Sequence, residues 1–204
     1  MLARIAGMAL QISNSFHQPS QVDKRLLALH HFKDIILSEF LPLTLEFKDL
    51  STYQDDYIKS NGQGYTIGRE QYDKAKEQDS GWAIAPLYYN NQEYTRNSML
   101  MPKTTKLLKW IGHTTYTGIT SLHPDHGLDW HYDDDPNPNM LQMRVFYTLQ
   151  TCGGSFIEVE ETDKKIVKRY FKEQEYIIFH SKKRHRVWNE GILPRYCLVI
   201  DVLK

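Results

Sequence analysis

Cysteine is scarce in this 204-residue chain, which has only Cys152 and Cys197. Two thiols cannot build a disulfide scaffold or a cysteine-rich zinc site, and their rarity fits a reducing, cytoplasmic setting. Net charge is also missing, with 25 basic residues balancing 25 acidic ones. Such a chain has no electrostatic pull toward nucleic acid or an anionic membrane. Basic clusters such as Lys182-Lys183-Arg184 are short and read as a solvated face. No apolar run reaches transmembrane length, so no membrane span is expected. The mildly apolar start, Met1 to Ile12, lacks the apolar core and cleavage site of a signal peptide and reads as an amphipathic helix or loose arm. Internal repeats and low-complexity tracts are absent as well.

What remains is an ordinary globular composition, 41% hydrophobic and 25% charged, at a length that suits one compact domain. Val22, Leu26, Leu29, Ile36 and Phe40 recur at helical spacing over 21–41, and Pro42 should end that helix. Residues 49–81 are polar and glycine-containing, and read as loop with a short helix, a candidate substrate lid. The run PKTTKLLKW, ending at Trp110 and followed by Gly112, reads as a second helix with a threonine near its start. The texture then changes. Segments 114–122, 142–150, 155–160, 165–171, 174–180, 184–189 and 195–203 are rich in β-branched and aromatic residues, with turn signals at Gly153-Gly154, Asn189-Glu190-Gly191 and Pro194. The expected architecture is mainly β with N-terminal helices: a helical and loop extension over 1–80 packed on a β core over 81–204, the core a sandwich or small barrel. Cys197, inside an apolar run, reads as a small buried hydrophobe.

The chemically suggestive stretch is HGLDWHYDDD, residues 126–135. His131 and Asp133 stand two apart, which on an extended strand places both side chains on one face. A second histidine from a later strand would complete a facial triad with open positions, an arrangement suited to non-haem Fe(II). His185, in the strand-like RHRVWN, is the best candidate, although His123 and His126 are alternatives and Zn²⁺ could use the same ligands. Arg195 opens the last strand, RYCLVIDV. A dicarboxylate that chelates iron through its 2-oxo acid end leaves a second carboxylate, for which an Arg fork on a neighbouring strand is the natural partner.

These motifs, in this order, resemble the aspartyl/asparaginyl β-hydroxylase family. The likeness begins near Gly81-Trp82 and runs to about Val202. GWAIAPLYYN is similar to the family's opening strand, and Asn97 and Pro102-Lys103-Thr104 follow as they do there. ITSLHPDHGLDWH leads to the first iron-ligand histidine, MRVFYTL carries the strand arginine, IIFHSKKRHRVWN ends at the distal histidine, and RYCLVIDV matches the final strand. The resemblance implies a double-stranded β-helix, the jelly-roll or cupin-like barrel. It implies Fe(II) held by His131 and His185, with 2-oxoglutarate as co-substrate salt-bridged to Arg195, and O₂ as oxidant. Thr120 falls where the family has a hydroxyl that helps hold that carboxylate. Arg144 falls on the strand arginine and would contact either the 2-oxo acid end or a substrate carboxylate.

Asp133 departs from the family members that hydroxylate protein domains, which have glycine there, and a carboxylate at this position argues against halogenation. Phe146 stands where the family often has histidine, and His180 replaces an acidic turn residue. No membrane span or repeat domain is expected before the catalytic part, unlike the animal enzymes. The expected activity is hydroxylation of an unactivated C–H in an amino acid, a peptide residue, or a small natural product or lipid, with release of succinate and CO₂. Tyr88, Tyr89, Tyr94, Tyr116 and Trp130 are candidates to line the substrate site, and residues 42–80 with the segment between Asp133 and Arg144 would form its mouth. Trp188 is expected in the core. Two other classes are weighed beside this one. A non-catalytic cupin-like module would bind a small ligand or metal. A zinc hydrolase or isomerase would need a general base, for which Glu158 and Glu160 are the candidates.

Overall fold

The computed structural model describes residue 16 and residues 29–46, 82–89, 92–93, 95–112, 114–133 and 142–203. The arm at 1–12, the loop at 49–81 and most of the segment between Asp133 and Arg144 lie outside the described residues. In chain order the elements are α1 (Leu29–Glu46), β1 (Trp82–Tyr89), β2 (Gln92–Glu93), α2 (Thr95–Leu100), α3 (Pro102–Ile111), β3 (Thr114–Leu122) and β4 (His126–His131). They continue with β5 (Gln142–Gln150), β6 (Ser155–Glu160), β7 (Ile166–Tyr170), β8 (Tyr176–His180), β9 (His185–Asn189) and β10 (Arg195–Leu203). The seven expected strand segments all form, with ends within two residues of the reading above. β4 is the strand that composition conceals, because HGLDWH holds no β-branched residue.

Two antiparallel sheets result, a large one ordered β2-β1-β3-β10-β5-β8 and a small one ordered β4-β9-β6-β7. From β3 to β10 the chain alternates between them, and among the described residues the β6–β7 hairpin is the only consecutive pair within one sheet. That winding is a double-stranded β-helix. Phe16 adds an isolated antiparallel bridge to Phe179 of β8.

The central strands of the large sheet are buried on both faces, so alternate residues enter different cores. On β10, Cys197 and Val199 face the small sheet, together with Leu122, Phe146, Ile157, Phe171, Phe179 and Val187. Leu198 and Ile200 point the other way, into a second cluster with Val145 and Tyr147 of β5 and with α1 and α3. Cys197 is fully buried, as expected, and Cys152 is exposed. Trp188 differs from expectation. It is half-buried on the outer face of the small sheet, where a Cβ on Gly127 would meet its ring at 2.0 Å. Glycine at 127 is what lets that ring lie flat across β4.

α1 runs four residues past Pro42 rather than ending there. A proline inside a helix removes one backbone hydrogen bond and costs about 3 kcal/mol. Burying Leu29, Ile36 and Phe40 against the large sheet offsets this, at roughly 1.5–3 kcal/mol for each side chain. α1 also caps α3. The first turn of α3 has no cap from its own residues, its threonines included. Instead the Glu39 carboxylate accepts hydrogen bonds from the Lys103 and Thr104 amides and the Thr104 hydroxyl, each at 2.8 Å. Glycine at 112 closes the helix at φ 65°, its N–H donating to the Leu108 carbonyl. Among the described residues no helix is long and apolar enough to cross a membrane.

Glu39 therefore ties the helical layer together and satisfies backbone donors that would otherwise be orphaned. Glu39→Ala is expected to lower stability by about 1–2 kcal/mol, and Glu39→Gln by less, in urea unfolding followed by circular dichroism.

Candidate metal centre

The site forms where the small sheet's first two strands meet. β4 and β9 pair with His126 opposite Asn189, Leu128 opposite Val187 and His131 opposite His185. From Val187 to His185 is two steps, whereas from Leu128 to His131 is three. The extra residue is a β-bulge. With strict alternation, His131 would face away from the inward-packed Leu128; the bulge turns it inward and sends Trp130 outward. The two imidazole rings then lie 4.3 Å apart between centroids. His185 is 2% exposed and packs edge-on to Phe179.

Asp133 lies two residues beyond the end of β4, not on it, and its N–H donates to the Ser181 carbonyl at 3.4 Å. Its Oδ2 is 3.5 Å from His185 Nε2 and its Oδ1 is 3.9 Å from His131 Nε2. Donors that each bond one ion at about 2 Å sit about 3–4 Å from one another, and the three ligand atoms fall within 4.8 Å. Both histidines are set up to donate electrons. Nδ1 of His131 faces the Asp129 carbonyl at 2.5 Å and Nδ1 of His185 faces the Lys183 carbonyl at 2.8 Å. A carbonyl only accepts, so each Nδ1 carries the proton and each Nε2 turns its lone pair to the centre. The alternatives sit elsewhere. His126 is at the far end of β4 against the Pro124 carbonyl, and His123 is exposed.

Arg144 and Asp201 complete the cluster. They are direct cross-strand partners on β5 and β10. The Arg144 Nε and Nη2 each donate to Asp201 at 2.7 Å, and its Nη1 donates to Asp133 Oδ2. Burial alone would raise the Asp133 carboxyl; the Arg144 guanidinium, with both imidazoles, more than offsets it and holds it below the ordinary carboxylate range. Burial moves His185 the other way, down to about 4, although Asp133 opposes this. His185 is thus a neutral base at neutral pH, the form a metal needs.

Arg195 is 1% exposed, and its Nε and Nη1 have no hydrogen-bond partner among the described residues. Its guanidinium carbon lies 4.3 Å from the centre of the Phe171 ring and 5.9 Å from that of Phe146. Burial lowers its pKa, yet a guanidinium stays charged in proteins. Thr120, buried on the same face of the adjacent β3, has an unpartnered hydroxyl as well. Asn189 fixes the approach to this strand. Its amide donates at 2.9 Å to the Leu122 and Leu193 carbonyls and accepts from the Gly191 N–H.

Of the residues singled out from the sequence, the structure gathers His131, Asp133, His185 and Arg144, and sets Arg195 and Thr120 on neighbouring strands facing the same interior. Trp130 is a correction. It turns away from the triad, with the Arg184 and Arg186 guanidinium groups each 5.2 Å from its ring. Tyr88 is half-buried on β1 opposite Thr117, and Tyr116 is buried on the inner face near Arg144. The side chains of Tyr89 and Tyr94 lie outside the described residues. Asp201, Phe171 and Asn189 carried no signal of a role. Asp201 is a lone acidic residue in a strand-like run and Asn189 read only as part of a turn signal, so only pairing register shows what they face.

The depressed His185 sets a pH dependence for the metal-free protein. Its folded pKa lies below the unfolded value, so its contribution is complete above about 6.5 and is lost as pH falls toward 4. Urea unfolding between pH 7 and pH 4 should show a loss of order 3 kcal/mol from this group, a limb that His185→Gln should flatten.

No curated protein matches the sequence. Among solved structures, an oxalate oxidase is similar at 13% identity over 61% of this chain and 52% of its own, with a TM-score of 0.39. The chain thus spans about half the length of that protein. The cupin domain of an XRE-family transcriptional regulator from Enterobacter cloacae is similar at 9% identity, covering 60% of this chain and 96% of that one, TM-score 0.38. A cupin domain from Schizosaccharomyces pombe is similar at 10% identity, covering 60% and 65%, TM-score 0.38. The family description that fits is aspartyl/asparaginyl beta-hydroxylase, and it matches residues 35–204, well upstream of the Gly81 start expected from the motifs. With that match running from within α1 to the last residue, the chain belongs to the aspartyl/asparaginyl β-hydroxylase family.

Proposed function

We propose that this chain is an Fe(II)- and 2-oxoglutarate-dependent oxygenase that hydroxylates an unactivated C–H bond of an amino acid, a peptide residue, or a small natural product or lipid. The observation that carries the reading is Arg195, a buried cation with unpartnered donors in the barrel that also holds the triad. Burying a charge without a partner costs several kcal/mol. A ligand with one end for the metal and a carboxylate at the other supplies that partner, and Thr120 offers the same carboxylate a hydroxyl. The family is one of Fe(II)/2-oxoglutarate oxygenases. A cytoplasmic setting goes with the reading, supported by two free cysteines, one of them an exposed thiol.

His131, Asp133 and His185 would hold the iron, leaving one side of it open to co-substrate and O₂. Bound together, Fe(II), 2-oxoglutarate and O₂ would supply oxidative decarboxylation to succinate and CO₂, with one oxygen atom going to succinate and the other to the substrate. The chain's residues bind, orient and exclude water. Phe146, Phe171 and Phe179 wall the interior around Arg195 and His185. Phe146, in the family's histidine position, brings no hydrogen bond to an oxo acid, so orientation of the co-substrate falls to Arg195 and Thr120.

The zinc hydrolase reading is weakened at its base. Glu158 and Glu160 alternate with the inward Ile157 and Val159 of β6, and are bound by Arg186 and Arg184 on the outer face. A module that binds only a metal would leave Arg195 unexplained, and one that also binds a small carboxylate without turnover is separated from the oxygenase by the succinate assay.

The protein is expected to form succinate when reconstituted anaerobically with Fe(II) and then given 2-oxoglutarate and air, without any added prime substrate. His131→Ala and Arg195→Ala should each lower the NMR-detected yield by about tenfold or more. Wild-type protein that yields no succinate, and no 2-oxoglutarate-dependent visible absorption band without oxygen, would sink the reading.

A further inference from the structure

Arg144 stands between two buried carboxylates, and only one of them belongs to the triad. Asp133 is 6% exposed and Asp201 is 2% exposed. Asp201 takes two of the guanidinium's nitrogens, Nε and Nη2, in a side-on fork. That leaves Nη1 alone to reach Asp133, and it reaches Oδ2. Oδ2 also lies 3.5 Å from His185 Nε2, and Oδ1 lies 3.9 Å from His131 Nε2. The guanidinium thereby holds the carboxylate by one oxygen and leaves the other without a hydrogen bond from Arg144. Charge points the same way. An Arg144–Asp133 pair alone sums to zero and gives a divalent cation little reason to enter, whereas the three-member chain carries a net −1.

We propose that Asp201 is a positioning residue that reserves Asp133 for the metal by occupying the Arg144 fork. Without Asp201, the fork is free to close on both oxygens of Asp133, the favoured bidentate geometry for a guanidinium and a carboxylate. Asp133 would then be withdrawn from the site without any change in the triad itself. The inference rests on the metal-centre reading above, and it is specific to a chain that has a carboxylate at 133. The cross-strand pairing of Asp201 with Arg144 makes the arrangement part of the β-sheet rather than of a loop.

Titration with Co(II), followed by its visible absorption, tests this apart from turnover. Asp201→Asn keeps the shape and removes the charge; its Co(II) affinity should fall by about ten- to a hundredfold, the usual range for a lost ligand-orienting partner. Adding Arg144→Gln to make the double variant removes the competitor, and Co(II) binding should return to within about threefold of wild type. A purely structural role for Asp201 predicts the opposite, with the double variant no better than the single one. Equal binding by wild type and Asp201→Asn, or no recovery in a folded double variant, overturns the proposal. If the single variant does not fold, the double variant decides, because both substituted positions then carry neutral amides. Wild-type protein that binds Co(II) no better than His131→Ala would overturn the metal-centre reading itself, an outcome distinct from either of those.

Discussion

Antiparallel pairing of β4 with β9, with one residue too many on β4, is the constraint on which the site depends. Pairing alone sets His131 opposite His185, but pairing does not choose which face a side chain takes. The bulge makes that choice, and it does so once for two residues. It brings an imidazole into the barrel and turns the adjacent indole out to a surface of arginine and glutamate. The two carbonyls that orient the imidazoles lie two residues before their histidines, at Asp129 and Lys183. Ligand position and ligand tautomer are therefore properties of the same short stretch of backbone.

The large sheet contributes charge rather than ligands. Three of its inward positions, Arg144, Asp201 and Arg195, are ionised side chains in strands whose other inward positions are aromatic, aliphatic or small neutral groups such as Thr120 and Thr148. Burial on this scale is tolerable only when each charge is answered. Asp201 and Asp133 answer Arg144. Nothing in the described residues answers Arg195 through its Nε or Nη1, and this asymmetry separates a structural ion network from the proposed binding site.

Much of the fold was legible because the strands of the C-terminal half are β-branched and bounded by turn residues, so period and punctuation agree. The triad was legible only in combination, because a His-x-Asp pair is common by itself but gains weight when a later His185 and Arg195 follow in the family's order. Three things were hidden, each for a physical reason. Strand β4 was hidden by its composition. The continuation of α1 past Pro42 was hidden because tertiary burial outweighs a local penalty that the sequence displays openly. The partnership of Arg144 with Asp201 was hidden because the two are 57 positions apart, and register between strands is a long-range property. The expectation that Arg144 would meet an oxo acid or substrate carboxylate came from its strand position; in the structure its fork is filled by carboxylates of the chain itself.

Asn189 shows what kind of machine this is. One amide side chain fastens the end of β9 to the end of β3 and to the turn that enters β10. His185 sits four residues before it and Arg195 six residues after it. The turn between them is thereby clasped at both ends, so the separation of His185 from Arg195 is set by the main chain. On the proposed function, a barrel held this way would discriminate co-substrates by length. A dicarboxylate one methylene shorter or longer would meet a gap or a collision, even though every group it needs is present.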